Sequence, residues 1–173
     1  MKKRFLFYLV ALLSVWCCGS VNNTDEPVVD KTPHSFEIVM STNSGSGMKS
    51  NALVDKIGNI VYVTVDEGTD VTSLVPTITS GEGTTFYIDG KPVDSGITPV
   101  DFTSTATLTT VGSDGSENTY YICLKTGNKL IDGEVYAIMR KYDIPGISLS
   151  ATKKEKLVYS SGYGFADETT MER

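Results

Sequence analysis

Short runs of β-branched and aromatic residues, separated by turn residues, fill the middle of the chain. The strongest run, residues 60–65, is β-branched or aromatic at every position, which is typical of a strand. Asp89-Gly90 and Asp114-Gly115 are dipeptides that favour tight hairpin turns. About seven such runs between residues 35 and 127 predict an immunoglobulin-like β-sandwich, with a weak helical period only near Leu53.

The hydrophobic period changes after residue 127. One face of an amphipathic helix is predicted by the spacing of five apolar residues, Ile131, Val135, Ile138, Met139 and Tyr142. Two further apolar runs, 147–151 and 157–161, flank a lysine-rich turn and predict a β-hairpin. A helix and one hairpin, about 45 residues, are too few to enclose a core of their own. Residues 128–173 are therefore expected to be an incomplete unit of a mainly β chain.

The first 17 residues have the pattern of a secretory signal peptide. Three cations, Lys2, Lys3 and Arg4, precede an apolar run over residues 5–16. That run is shorter than the roughly 20 residues that a membrane-spanning helix needs. The polar residues 18–34 are expected to form a tether between this signal and the predicted sandwich.

A pair of cysteines at the end of the apolar run resembles a bacterial lipobox, in which signal cleavage leaves an N-terminal cysteine that is then acylated. Cys18 is the better candidate, because the small Cys17 then precedes the cleavage point, where acylation of Cys17 would put Trp16. The resemblance implies a lipid anchor on Cys18 and a place in the cell envelope, at a Gram-negative outer membrane or cell surface. Plain secretion is the alternative.

Composition and charge narrow the classes of function. The chain has 173 residues, with 15 Lys and Arg against 21 Asp and Glu, a net charge of −6. Signal removal takes three cations and no acid, so the exported part carries −9. Such a charge does not attract nucleic acid, and three Cys with one His are too few for a zinc site. We therefore expect no nucleic-acid partner, no metal site and no cofactor.

Part of the predicted sandwich resembles the immunoglobulin-like modules of Gram-negative surface lipoproteins. Residues 68–77 are similar to their "GTD-x-T-x-L-x-P" stretch, and residues 99–103 with 114–120 are similar to their closing "DF…DGS…Y" hairpin. The resemblance covers about 90 residues. It implies a spacer, or a contact domain for glycan, over residues 35–127.

The end of the chain resembles the opening of a serine β-lactamase-related hydrolase domain, the family of class C β-lactamases, DD-peptidases and esterases. The similarity lies in residues 142–150, with "IPG-hydrophobic-S", and in residues 156–167, with "GYG-aromatic-AD". It implies acyl transfer through a serine ester in a complete enzyme. The nucleophile motif of that family follows the opening hairpin, beyond Arg173. The resemblance thus predicts an inactive N-terminal fragment of a lipid-anchored hydrolase, without catalytic residues and without its C-terminal domain.

Three short matches to that family's catalytic motifs are not expected to be catalytic. Ser150 and Lys153 have the Ser-x-x-Lys spacing, but they fall on a predicted strand, where positions three apart face opposite sides. Ser46 and Lys49 share the spacing within a Gly/Ser loop. Residues 125–127 spell Lys-Thr-Gly but precede the hydrolase opening, the reverse of the family order.

The alternative function is a non-catalytic surface lipoprotein module that binds glycan or peptide. Aromatic side chains of the sandwich would supply the platform, because their faces suit sugar rings. The candidates are Tyr62, Tyr87, Tyr120 and Tyr121. About half of them are expected to lie in the core instead. Cys123, in an apolar strand, is expected to be a buried hydrophobe without redox chemistry.

Overall fold

The structure is a computed structural model and describes residues 33–165. Within that range the chain forms ten strands and one helix, which confirms the prediction of a mainly β chain. In chain order the elements are β1 (Ser35–Glu37), β2 (Leu53–Ile57), β3 (Ile60–Val65), β4 (Thr77–Thr79), β5 (Thr85–Ile88), β6 (Lys91–Pro92), β7 (Ala106–Val111), β8 (Glu117–Thr126), α1 (Lys129–Tyr142), β9 (Gly146–Lys153) and β10 (Lys156–Gly164).

Six of the strands form one mixed sheet with the order β2-β3-β8-β7-β5-β6. All neighbours are antiparallel except β3 and β8, which run parallel, with Ile60 opposite Tyr121 and Val65 opposite Thr126. The remaining strands pair in twos, β1 with β4 and β9 with β10. The strongest run of β-branched and aromatic residues forms β3, which therefore lies inside the sheet with a partner strand on each side.

One face of the large sheet packs on the β1–β4 pair. Because side chains alternate along a strand, Val61, Val63 and Val65 all enter this core from β3, and Phe36 and Ile78 enter it from β1 and β4. Fully burying an aliphatic side chain of this size contributes about 1.5–3 kcal/mol. Two layers of sheet around one core are the arrangement of a β-sandwich. The immunoglobulin-like assignment stays a prediction.

The other face of the sheet carries α1. The Tyr62 ring on β3 stacks on the Tyr136 ring of the helix, with centroids 5.0 Å apart. Tyr136 also meets Tyr163 of β10 edge to face, at 5.8 Å. Helix and hairpin thus share a second core with the sheet, and the sheet supplies the packing surface that a helix and one hairpin lack by themselves. The proposed limit between 35–127 and 128–173 stays a prediction.

Both ends of α1 are capped. The side chain of Asn128 accepts hydrogen bonds from the backbone amides of Leu130 and Ile131, which satisfies donors that a helix start leaves free. At the other end Asp143 adopts a left-handed conformation, with φ 52°, and its amide donates to the carbonyl of Met139. With 14 residues, α1 does not have the length and apolar character of a membrane span, and residues 33–165 include no helix that does.

One local sequence signal differs from the structure. The weak helical period near Leu53 belongs to strand β2, which pairs with β3 across a two-residue turn at Gly58 and Asn59. Gly58 has a φ of +60°, a conformation that glycine adopts without a side-chain clash. Pairing with a strong neighbouring strand outweighs the local preference of this short segment.

Candidate functional site

Part of the helix-side face of the sheet is left open, because α1 lies over β2 and β3. Residues of β5, β7 and β8, with Asp89 directly after β5, form three cross-strand rows of three on this side. The register gives Tyr87, Thr109 and Thr119 in one row and Thr85, Val111 and Glu117 in the next. In the remaining row Thr107 pairs with Tyr121, and Asp89 lies beside Thr107 because its amide donates to the Thr107 carbonyl. We call these nine residues the open face. All nine are exposed or half-buried.

The four sequence-predicted tyrosines divide evenly between core and open face. Tyr62 is 3% exposed and Tyr120 is 7% exposed, so neither can offer a ring to a ligand. Tyr62 lies beneath α1, whereas Tyr120 lies in the opposite core with the Lys56 ammonium 4.6 Å from its ring centroid. Tyr87 and Tyr121 are half-buried and point to the same side of the sheet.

The two available tyrosines are separated by more than one side chain. Tyr87 pairs with Thr109 on β7, while Tyr121 pairs with Thr107 on the same strand. They are thus two strands and two residues apart, which places their Cα atoms about 12 Å from each other. Thr107 and Thr109 lie between them and present hydroxyl groups. The open face is therefore a polar surface with an aromatic ring at each end of a diagonal.

Tyr87 also borders a groove at the β5–β6 edge of the sheet. The groove has a volume of about 460 Å³. Its lining combines apolar and polar residues: Thr84, Thr85, Phe86, Tyr87, Pro92, Val93, Asp94, Ser95 and Ile97. Ile97 is 73% exposed, so the groove opens to solvent beside the open face. Concave, partly apolar surfaces of this kind are where ligands bind most often.

A second polar feature is buried on the covered part of the face. The carboxylate of Asp132, 0% exposed, accepts hydrogen bonds from Tyr163 at 2.6 Å and from Tyr159 at 3.2 Å. The ammonium of Lys125 lies 3.2 Å from the same oxygen and donates to the Ser161 hydroxyl at 2.6 Å. We call Lys125, Asp132, Tyr159, Ser161 and Tyr163 the Asp132 cluster.

The contacts within the Asp132 cluster stabilise the structure. Lys125 uses its protons on Asp132 and Ser161, so it offers Ser161 no lone pair and cannot activate it as a nucleophile. Burial, then the hydrogen bond to Asp132, raises the pKa of the Tyr163 hydroxyl far above its usual range. The cluster joins three elements, namely β8, α1 and β10. It therefore fixes helix and hairpin against the sheet.

The predicted apolar face of the helix differs from the buried one. The buried residues of α1 are Asp132, Val135, Tyr136 and Met139, whereas Ile138 and Tyr142 are 46% and 62% exposed. The helical pattern predicts Asp132 on a polar face of the helix, and the structure corrects this by placing it in the core. A carboxylate at such a position must find partners in the core. Lys125 belongs to the Lys-Thr-Gly match of residues 125–127, and its role in the Asp132 cluster follows from tertiary packing.

The other residues considered from sequence have plain structural roles. Ser150 and Lys153 both lie on β9, as predicted. The Ser46 hydroxyl donates to the carbonyl of Asn43 within a loop. Cys123 is 2% exposed and packs in the second core, as expected. Within residues 33–165 no three His, Cys, Asp or Glu side chains are placed to hold a metal ion. Cys18 lies outside the described residues.

The fold and the open face define a β-rich module with an aromatic, hydroxyl-lined surface. Residues 34–123 match the family described as "SGBP, N-terminal". That match covers more than half of the chain, which therefore belongs to this family. No curated protein matches the chain.

Two solved structures show limited similarity to the chain. A candidate glycoside hydrolase from Bacteroides thetaiotaomicron is 20% identical over 78% of this chain, with a TM-score of 0.42. This chain covers only 35% of the length of that protein. A candidate secreted protein from Bacteroides fragilis is 12% identical over 46% of this chain and 74% of its own, with a TM-score of 0.35.

The family match corrects the hydrolase interpretation of the sequence. The prediction that this is the start of a serine β-lactamase-related hydrolase is wrong, because the family that matches the chain is SGBP. The 142–167 similarity rested on a helix followed by a hairpin with glycine-rich ends. Those elements are present up to residue 165, but they pack on the face of the sandwich sheet. A short local pattern of this kind does not identify a family.

Proposed function

We propose that this chain is the N-terminal, glycan-contacting module of an exported surface protein. The observation that carries the proposal is membership of the SGBP family over residues 34–123, a family name that stands for surface glycan-binding proteins. The proposed function is thus glycan binding, in place of the hydrolase activity that the sequence resemblance implied for a complete enzyme.

The open face is the proposed contact surface. Tyr87 and Tyr121 present partly exposed rings on one side of the sheet, and aromatic faces pack well on the apolar faces of sugar rings. Thr107 and Thr109 add hydroxyls, which both donate and accept hydrogen bonds. The groove beside Tyr87 extends this surface towards the sheet edge. Peptide, the other ligand considered from sequence, has no comparable support from the family.

We also propose that the module is held at the cell surface by a lipid on Cys18. The support is the lipobox-like sequence, with residues 18–34 as the tether of an immunoglobulin-like module over residues 35–127. Labelling of growing cells with an alkyne palmitate tests this proposal. The expected result is a labelled protein that becomes unlabelled in Cys18→Ala and stays labelled in Cys17→Ala. Labelling that survives Cys18→Ala contradicts the anchor.

Affinity gel electrophoresis tests the contact surface. The purified protein is run through gels that contain one soluble polysaccharide each, and retardation reports binding. We expect Tyr87→Ala and Tyr121→Ala each to weaken binding by about twofold to tenfold, the worth of one aromatic contact. Tyr142→Ala is the matched control, because Tyr142 is 62% exposed on α1, away from the open face.

Three outcomes decide whether the module contacts glycan or serves as a spacer. Loss of retardation in the two open-face variants but not in the control supports the proposal. Equal loss in all three variants, or no loss in any, places the contact elsewhere and contradicts it. Absence of retardation by every polysaccharide leaves the module as a spacer. Thermal unfolding of each variant confirms that binding was compared between folded proteins.

A further inference from the structure

We infer that the open face selects an uncharged polysaccharide and binds it along several consecutive sugars rather than through a single sugar. This inference rests on the proposed function and adds the class of glycan and the length of the bound segment. Two independent features of the open face carry it, its charge and the spacing of its two tyrosines.

The charge of the open face is entirely negative. Its nine residues include two acids, Asp89 and Glu117, at opposite corners, and no Lys or Arg. The Asp89 carboxylate is held in place because it accepts a 2.7 Å hydrogen bond from the backbone amide of Thr107. A uronic acid or sulfated sugar laid across the face would meet like charge on both sides.

The nearest cation on the same side of β8 cannot compensate that charge. Lys125 lies four residues beyond Tyr121 and shares its side of the strand, but its ammonium is engaged by Asp132 and Ser161. Turning it towards a ligand would leave the buried Asp132 carboxylate without its counter-ion, which is costly. Anionic glycans therefore find no partner on this face, whereas neutral glycans need only hydroxyl and ring contacts.

Spacing sets the length of the bound segment. Tyr87 and Tyr121 lie about 12 Å apart on the diagonal of the face, farther than one sugar ring reaches. A monosaccharide can therefore contact one ring at a time, whereas a chain segment can contact both rings and the threonines between them. Contacts made by linked sugars reinforce one another, because the second contact is intramolecular once the first has formed.

The selectivity is tested with probes that differ in charge. Amylopectin, galactomannan and arabinoxylan are the neutral polymers, and polygalacturonate and hyaluronan are the acidic ones. We expect retardation by at least one neutral polymer and by neither acidic polymer. The double variant Asp89→Asn, Glu117→Gln should strengthen binding of the acidic polymers at least twofold, whereas Glu134→Gln, an exposed acid on α1, should not change it.

The length requirement is tested with oligosaccharides cut from the neutral polymer that binds. Titration calorimetry should give an affinity that rises at least tenfold from the monosaccharide to the length that spans both tyrosines, and then stays level. In Tyr87→Ala the rise with length should be smaller than in the unchanged protein. A monosaccharide that binds as tightly as the longer chains overturns the inference.

The outcomes separate the inference from the proposed function. Retardation by acidic and neutral polymers alike, lost in the tyrosine variants, overturns the selectivity and leaves the glycan-contact function standing. Retardation by none of the five polymers overturns both. Neutral-only retardation that Tyr87→Ala and Tyr121→Ala weaken supports both.

Discussion

Tyr163 on β10 donates a 2.6 Å hydrogen bond to the completely buried carboxylate of Asp132 in the first turn of α1. Lys125 on β8 supplies the opposite charge at 3.2 Å. A single carboxylate thus connects the large sheet, the helix and the hairpin. The free energy of unfolding should therefore be sensitive to this contact and to the hairpin that it holds.

Removal of the carboxylate should be strongly destabilising. Asp132→Ala leaves the Lys125 ammonium without its partner and two tyrosine hydroxyls without their acceptor. Breaking one half of a buried ion pair costs about 3–5 kcal/mol, so we expect that loss in the free energy of unfolding from urea denaturation. Glu134→Ala, on the exposed side of the same helix, should change it by less than about 0.5 kcal/mol. A loss below 1 kcal/mol for Asp132→Ala would show that the cluster is not essential.

Alkaline pH should destabilise the protein through Tyr163. Its pKa is raised from the ordinary 10.0 by burial and by the hydrogen bond to Asp132. The unfolded chain releases this proton near pH 10, whereas the folded protein keeps it, so stability is present below pH 10 and falls as the pH rises further. Unfolding free energies measured between pH 8 and 11 should decline less steeply in Tyr163→Phe. Parallel profiles for the two proteins would contradict the assignment.

Acid should weaken a different contact, at Asp66. Burial alone would raise the pKa of this carboxyl, but hydrogen bonds from the backbone amides of Lys49 and Ser50 and from the Lys129 ammonium lower it overall. Its stabilisation is therefore present above about pH 4 and is lost as the pH falls through the lowered pKa. Unfolding measured from pH 7 to pH 2.5 should lose less stability in Asp66→Asn than in Asp94→Asn, which changes an exposed acid elsewhere.

Gly164 should not tolerate a side chain. It has a φ of +73°, and a Cβ there would lie 2.0 Å from the carbonyl oxygen of Pro145, a backbone atom that cannot rotate away. Gly162 is two residues earlier on the same strand and has nothing within 4 Å of such a Cβ. Gly164→Ala should lose about 2 kcal/mol or more and show faster amide exchange in β9 and β10. Gly162→Ala should stay close to the unchanged protein, and similar exchange in both variants would argue against the close approach.

Local patterns predicted the elements better than their assembly. The β-branched run at 60–65 is strand β3, and the apolar spacing from Ile131 to Tyr142 lies within α1. The parallel pairing of β3 with β8 and the docking of α1 on the sheet involve residues far apart in the chain, so no local period encodes them. The same limitation explains the error at residues 142–167, where correct elements were joined to the wrong family.

The candidate site was predictable in composition but not in geometry. Alternation within a strand requires that Tyr120 and Tyr121 face opposite sides, so one of them had to be available if only one face was covered. Which one depends on the register of β8 with β7 and on the position of α1, neither of which the sequence states. The helical pattern predicts Asp132 on a polar face, and its burial was not predictable because its partners come from β8 and β10.

The parallel pairing of β3 with β8 also determines which parts of the protein can fold first during synthesis. The pairing of Ile60 with Tyr121 cannot form until Tyr121, 61 residues later in the chain, has been synthesised. Closing so long a loop also costs entropy, which slows folding. The ring of Tyr62 likewise stays uncovered until Tyr136 has been synthesised and can stack on it. The β2–β3 part of the second core is therefore uncovered while the remainder is being translated, an interval in which a holding chaperone would have an exposed surface to protect.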